Sequence, residues 1–143
     1  MERVLAAHSA HSCGNNDPES NHALAAQELF GPGVSFWTAH IIGDEVVGCA
    51  ALKDLGQARC ELKSMHVLQV TREKGVASAL MRHVEVCARD MGFREILLET
   101  GSAPAYAAAR KLYSRFGFEP CAPFADYNDD PNSIFMRLGL ATR

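Results

Sequence analysis

Met65–Leu80 reads MHVLQVTREKGVASAL, and its parsing decides the fold. Upstream, Cys60–Val67 (CELKSMHV) has the character of a strand. Downstream from Val76, apolar Ala79, Leu80, Val84, Cys87, Ala88 and Met91 recur at helical spacing, with Arg82, Glu85, Arg89 and Asp90 on the other side, until Gly92 stops the run. The stretch is strand, short loop, helix. Within the loop, Arg72-Glu73-Lys74-Gly75-Val76-Ala77 forms R-x-x-G-x-A. The first amides of a helix have no intrahelical partner, and the macrodipole adds partial positive charge there. Gly75 and Ala77 keep the approach to those amides clear, and Arg72 and Lys74 add charge, an arrangement suited to a phosphate or pyrophosphate. A P-loop needs G-x-x-x-x-G-K-[ST] and a dinucleotide fingerprint needs G-x-G-x-x-G; neither string occurs.

Outward from this stretch, Ser35–Ile42 (SFWTAHII) and Glu45–Leu52 (EVVGCAAL) are β-branched and aromatic runs divided by Gly43-Asp44, which predicts a hairpin. Gly56-Gln57 predicts a turn into Cys60–Val67, completing a three-stranded antiparallel meander. Residues 2–10 (ERVLAAHSA) and 20–29 (SNHALAAQEL) predict short amphipathic helices, and Gly31-Pro32-Gly33 punctuates the chain after them. Beyond Gly92, Phe93–Glu99 (FREILLE) predicts a strand. Pro104 sits at the first turn of a helix that runs to Phe116 and ends at Gly117. Phe118–Phe124 and Ser133–Leu138 are further strands, with the polar loop Asp126–Asn132 between them. The prediction is one α/β domain over residues 1–143.

Composition bounds the function. Of 143 residues 48% are hydrophobic and 22% charged, an ordinary globular mixture. The 14 Lys and Arg against 17 Asp and Glu leave a charge of −3, without the basic excess of a nucleic-acid binder. Apolar runs are too short to span a bilayer, and residues 1–20, with His8, His11, Asn15, Asn16 and Asp17, offer no signal-peptide core; a cytoplasmic protein is expected. Cysteines 13, 49, 60, 87 and 121 are odd in number with no C-x-x-C pair, so reduced core thiols are expected. His8 and His11 lack a third ligand at useful spacing, so no metal is expected.

A second segment narrows the reading. Pro104–Phe118, PAYAAARKLYSRFGF, ends L-Y-x-x-x-G-F with an alanine four residues before the tyrosine. In register with R-x-x-G-x-A upstream, it resembles the GCN5-related N-acetyltransferase (GNAT) superfamily over about Phe36 to Leu138, and the tail LETG…FGFEPCAPFADYNDDPNSIFM is similar to a subgroup of small bacterial acetyltransferases. The resemblance implies a mixed, mostly antiparallel sheet with helices on both faces, and acetyl-CoA as co-substrate. Met65, His66 and Val67 would bind the pantetheine arm through backbone groups, and Arg72, Glu73, Lys74, Gly75, Val76, Ala77 and Ser78 would hold the pyrophosphate. Tyr113 matches the family's frequent general acid, and Glu61 the position from which some members supply a carboxylate base. Tyr106 stands where many members have an asparagine that contacts the cofactor. The family's first strand has no counterpart in this reading, which leaves the sheet edge uncovered or completed by a second subunit in a homodimer.

The chemistry is sound on its own terms. A lysine-like amine of pKa about 10.4 costs roughly 4–5 kcal/mol to deprotonate at pH 7. A carboxylate of ordinary pKa, about 4.3, helps only after desolvation or through a water. At the leaving thiolate, a phenol of pKa about 10 faces a thiol of about 8.5, uphill by roughly 2 kcal/mol. The expectation is an N-acetyltransferase acting on a small-molecule or peptide amine by direct attack in a ternary complex. The rival is a CoA-binding domain without useful catalysis, a sensor or assembly partner; Tyr106 and the missing strand favour it, whereas Tyr113 and Glu61 count against it. Glu61 alternates with Lys63 and also fits a solvated cross-strand position. His66, Glu99 and Asp126 are substitutes for the base.

Overall fold

The computed structural model describes residues 4–8, 32–41, 45–68 and 75–140. Among these, seven strands, β1 (Val4–His8), β2 (Val34–Ile41), β3 (Glu45–Gly56), β4 (Arg59–Val67), β5 (Glu95–Gly101), β6 (Glu119–Pro120) and β7 (Ser133–Gly139), accompany helices α1 (Val76–Asp90) and α2 (Ala107–Arg115). The strand order is β1-β2-β3-β4-β5-β7-β6. The β4–β5 ladder is parallel, and the β1–β2, β2–β3, β5–β7 and β6–β7 ladders are antiparallel. The chain divides into two compact units, Met1–Lys53 with Lys63–Cys87 and Asp54–Leu62 with Ala88–Arg143, so β4 begins in the second and ends in the first.

Val76, Leu80 and Val84 of the first unit, and Ala88 where the second resumes, recur every fourth residue along α1, and all four are fully buried, as is Met81. This is the stripe that the spacing predicts. Trp37, opposite Ala50 in the β2–β3 ladder, turns its ring edge to His83 of α1 at 5.9 Å. The alternate positions Phe36, Cys49 and Ala51 form a separate apolar cluster on the other side of the same strands.

In the second unit, Ile96, Leu97 and Leu98 are all buried. Such an uninterrupted apolar run marks a strand covered on both faces. Ile96 and Leu98 stand opposite Leu138 and Met136. A side chain built at Gly117, just beyond α2, would lie 3.3 Å from Leu138 Cδ1, so α2 ends against that face. Leu97 clusters on the other face with Phe124 and Phe135.

Several expectations are corrected. Residues 2–10 are not a helix: Val4–His8 is a strand antiparallel to β2, Ala6 opposite Ala39, so the family's first strand is present. A run as short as VLAAH cannot hold a helix by itself against the pairing that β2 offers. The uncovered-edge argument for a homodimer falls with it. Phe118–Phe124 shortens to the two residues of β6, because neither Pro120 nor Pro123 has an N–H to donate to a ladder. The 20–29 helix and the Gly43-Asp44 turn lie outside the described residues. The turn into β4 is Gln57-Ala58, with φ of 58° and 63°, the type I′ hairpin signature without its usual Asn-Gly. Cys60, Cys87 and Cys121 are free thiols, whereas Cys49 is disulfide-bonded with its partner outside the described residues, against the expectation of five reduced thiols.

Leu80 sits at the centre of the α1 stripe. Leu80→Ala should lower stability by about 2–5 kcal/mol in a denaturant titration, the range for a buried leucine whose cavity does not collapse.

Candidate active site

The predicted cofactor residues that the structure describes, Tyr106 apart, all fall in the first unit. β4 ends at Met65-His66-Val67, and α1 opens after Gly75. Gly75 has φ 79° with open space where a Cβ would stand, and its carbonyl accepts the Ala79 amide at 3.0 Å. A glycine is the residue that takes this conformation without strain while leaving the amides of Val76, Ala77 and Ser78 approachable. Val76 is buried and anchors the turn, while Ala77 and Ser78 are half-buried. Arg72, Glu73 and Lys74 lie outside the described residues. Strand and helix are tied through Gly48 of β3: a Cβ there would come within 2.9 Å of the His66 carbonyl oxygen, 3.2 Å of Val67 Cγ2 and 3.5 Å of Leu80 Cδ2.

β4 changes character at Ser64, whose φ is 57°. The β4–β5 ladder runs from Arg59–Glu95 to Leu62–Leu98 and ends two residues before it. The backbone of Met65–Val67, past the end of that ladder, is what the resemblance assigns to pantetheine.

The catalytic candidates both fall in the second unit. Tyr113 on α2 is 6% exposed, with its ring tilted against Phe118 at 5.7 Å. Tyr106 closes a short 3₁₀ turn, Pro104–Tyr106, and its ring occupies the space beside Gly101, where an added Cβ would collide with Cδ2 and Cε2. The connection is held by Arg110, whose Nη1 donates to the carbonyls of Gly101 and Ala103 at 2.7 and 3.0 Å. The Tyr106 ring thus packs at the end of β5.

Glu61 is 4% exposed, so the solvated cross-strand reading is wrong. It pairs with Leu97 in the parallel ladder and shares that face with the Leu97–Phe124–Phe135 cluster. Its Oε2 accepts the Tyr127 phenol proton at 2.6 Å. Sequence reasoning missed Tyr127; its only signal was an aromatic ring inside the acidic loop ADYNDD. Glu99 on the same face accepts from Ser133 Oγ at 2.6 Å. Of the loop acids, Asp130 shapes the backbone, its Oδ1 accepting the Asn132 amide at 2.8 Å, while Asp126 and Asp129 are exposed. Among the described residues, no three His, Cys, Asp or Glu side chains are grouped to hold a metal.

The arrangement is that of a known enzyme class. The Acetyltransferase (GNAT) family model matches residues 5–118, and the chain belongs to that family. It is 48% identical over 123 residues to the uncharacterised N-acetyltransferase YsnE of Bacillus subtilis, covering 86% of this chain and 81% of YsnE. It is 39% identical over 140 residues to the uncharacterised N-acetyltransferase YedL of Escherichia coli, covering 98% and 87%. A Klebsiella pneumoniae structure assigned to the acyl-CoA N-acyltransferases superposes with a TM-score of 0.77 at 26% identity, over 99% of each chain. The protein is an acetyl-CoA-dependent N-acetyltransferase. The CoA-binding rival loses the missing strand that favoured it.

Gly48→Ala tests the strand end directly. The added methyl meets backbone at His66, so β3 and β4 must part by a few tenths of an ångström where pantetheine is expected. Stability should fall by about 1–3 kcal/mol. Acetyl-CoA affinity, read by calorimetry, should weaken while Tyr113-dependent chemistry at saturation changes little.

Proposed function

We propose that this chain, read as a single domain over residues 1–143, transfers the acetyl group of acetyl-CoA to a primary amine by direct attack in a ternary complex. Glu61 takes the amine proton and Tyr113 returns one to the CoA thiolate. The observation that carries the reading is the burial of the Glu61 carboxylate on an apolar face. A carboxyl held on an apolar face by the Tyr127 phenol presents a fixed oxygen to which an amine can pass its proton. Attack and departure occur on different bonds of one carbon, so acid and base need not share a hydrogen bond.

Direct attack is favoured over an acyl-cysteine route by the thiols themselves. Burial first, and the negative charge of Asp54 second, push the Cys60 thiol from 9.0 up to about 12. The nucleophile is the thiolate, so Cys60 is inert near neutral pH. Burial likewise raises Cys121. Free thiols at Cys60, Cys87 and Cys121 support a cytoplasmic site of action, the Cys49 disulfide being the exception. Among the described residues no helix is long and apolar enough to cross a membrane. The acceptor is a small-molecule or peptide amine, to be identified by a panel screen with thiol release as readout.

Acetyl-CoA at a hundred times its Kd should stabilise the protein by about 2.7 kcal/mol, read as a rise in Tm. Tyr113→Phe should keep that rise and the ring packing but lower kcat by about 10²–10⁴-fold. A variant within twofold of the parent would reduce Tyr113 to a packing residue.

Cys60 gives a pH test. The unfolded thiol loses its proton near 9.0 and the folded one near 12, so above pH 9 the unfolded state binds fewer protons. Stability should therefore fall as pH rises from 9 toward 12, and Cys60→Ser should flatten that fall. At a pH of about 8, iodoacetamide should label Cys60 in urea and leave it unlabelled in the native protein.

A further inference from the structure

Glu61 pairs with Leu97 on a face whose cluster of Leu97, Phe124 and Phe135 is apolar. A buried carboxylate is tolerated only with strong hydrogen bonds. The described donor is Tyr127, 66 residues away in sequence and supplied by the loop between β6 and β7. That loop is built to hold the phenol still. Phe124 and Phe135 flank the Tyr127 ring at 5.2 and 5.4 Å. The Tyr127 amide donates to the Phe124 carbonyl at 3.0 Å, closing a turn in which Ala125 takes φ 52°. A non-glycine residue there costs about 1 kcal/mol or more, so the surroundings impose the turn. Further along, Ser102 ties the loop down through its amide to the Asn132 carbonyl at 3.0 Å and its hydroxyl to the Pro131 carbonyl at 2.8 Å.

We propose that Tyr127 is a positioning residue: its phenol fixes the Glu61 carboxylate in one rotamer, so that the base meets the amine in a single orientation. The inference rests on Glu61 being the base. Desolvation, the hydrogen bond to Glu61 and the negative charge of Glu61 and Glu99 all push the Tyr127 phenol well above its usual value. It therefore stays a proton donor across the working pH range and takes no part as an acid. The other charged or titratable groups of this face include Arg59 of β4, Glu99 of β5, bonded to Ser133, Arg137 of β7, paired with Glu95 and opposite Glu119, and Cys121. β3 contributes apolar Leu55 to the cluster.

The test is a double-mutant cycle with Tyr127→Phe and Glu61→Gln, using whichever of spermidine, tyramine, glycinamide and an alanyl peptide gives the highest turnover. Tyr127→Phe keeps the ring and removes one charge-assisted hydrogen bond, so kcat/KM for the amine should fall about tenfold. Acetyl-CoA Kd should stay within about twofold. In the Glu61→Gln background the same substitution should have almost no effect. Additive losses, or an equal loss of acetyl-CoA affinity, would assign Tyr127 to general stability and overturn the proposal. A damaged Glu61→Gln beside a fully active Tyr127→Phe would overturn it while leaving the base intact. A fully active Glu61→Gln would remove the base reading itself, and the proposal with it.

Discussion

Ser64 holds a φ of 57° in the middle of a strand, a conformation that no serine adopts without outside constraint. Its consequence is a change of rule along β4. Up to Leu62 the strand obeys simple alternation against β5: Cys60 and Leu62 share the face of Ile96 and Leu98, and Glu61 shares that of Leu97. After Ser64 the described β4–β5 ladder has ended and the strand runs on to Val67. The positive φ at Ser64 thus marks the boundary between the part of β4 laddered with β5 and the part that runs on beyond that ladder.

The two ends of β4 obey different physics. Around His66 and Gly75 the working groups are main-chain amides and carbonyls, and the side chains matter chiefly by being small or absent. Gly48 lets β3 approach the His66 carbonyl, and Gly75 takes a conformation closed to larger residues. Around Glu61 the polar group is a buried side-chain carboxyl on an apolar face, and its hydrogen bond from Tyr127 offsets part of the cost of burial.

This difference explains how much is legible in the sequence. The α1 stripe, the Gly75 cap and the α2 end at Gly117 follow from local rules of spacing and φ, and they stand where the periodicity puts them. Strand β1 is not legible, because VLAAH is too short and too uniformly apolar to distinguish strand from helix. The pairing with β2 decides between them, and pairing partners are invisible to local pattern. The Gln57-Ala58 turn falls one residue beyond the expected Gly56-Gln57, because neither Gln nor Ala advertises positive φ. Tyr127 is hidden for a different reason. A tyrosine between Asp126 and Asn128 reads as solvated loop, and only the turn at Ala125 brings it back onto Phe124 and Phe135.

The departure at Tyr106 fits the same division. In the resemblance an asparagine amide serves the cofactor from this place, whereas here a ring lies on Gly101 and Arg110 clamps the adjoining carbonyls. A glycine with a ring in the space of its missing Cβ is a matched pair: any side chain at 101 would strike Tyr106. A tyrosine ring supports the β5 end here through shape, and Gly101 has to stay without a side chain for it to do so.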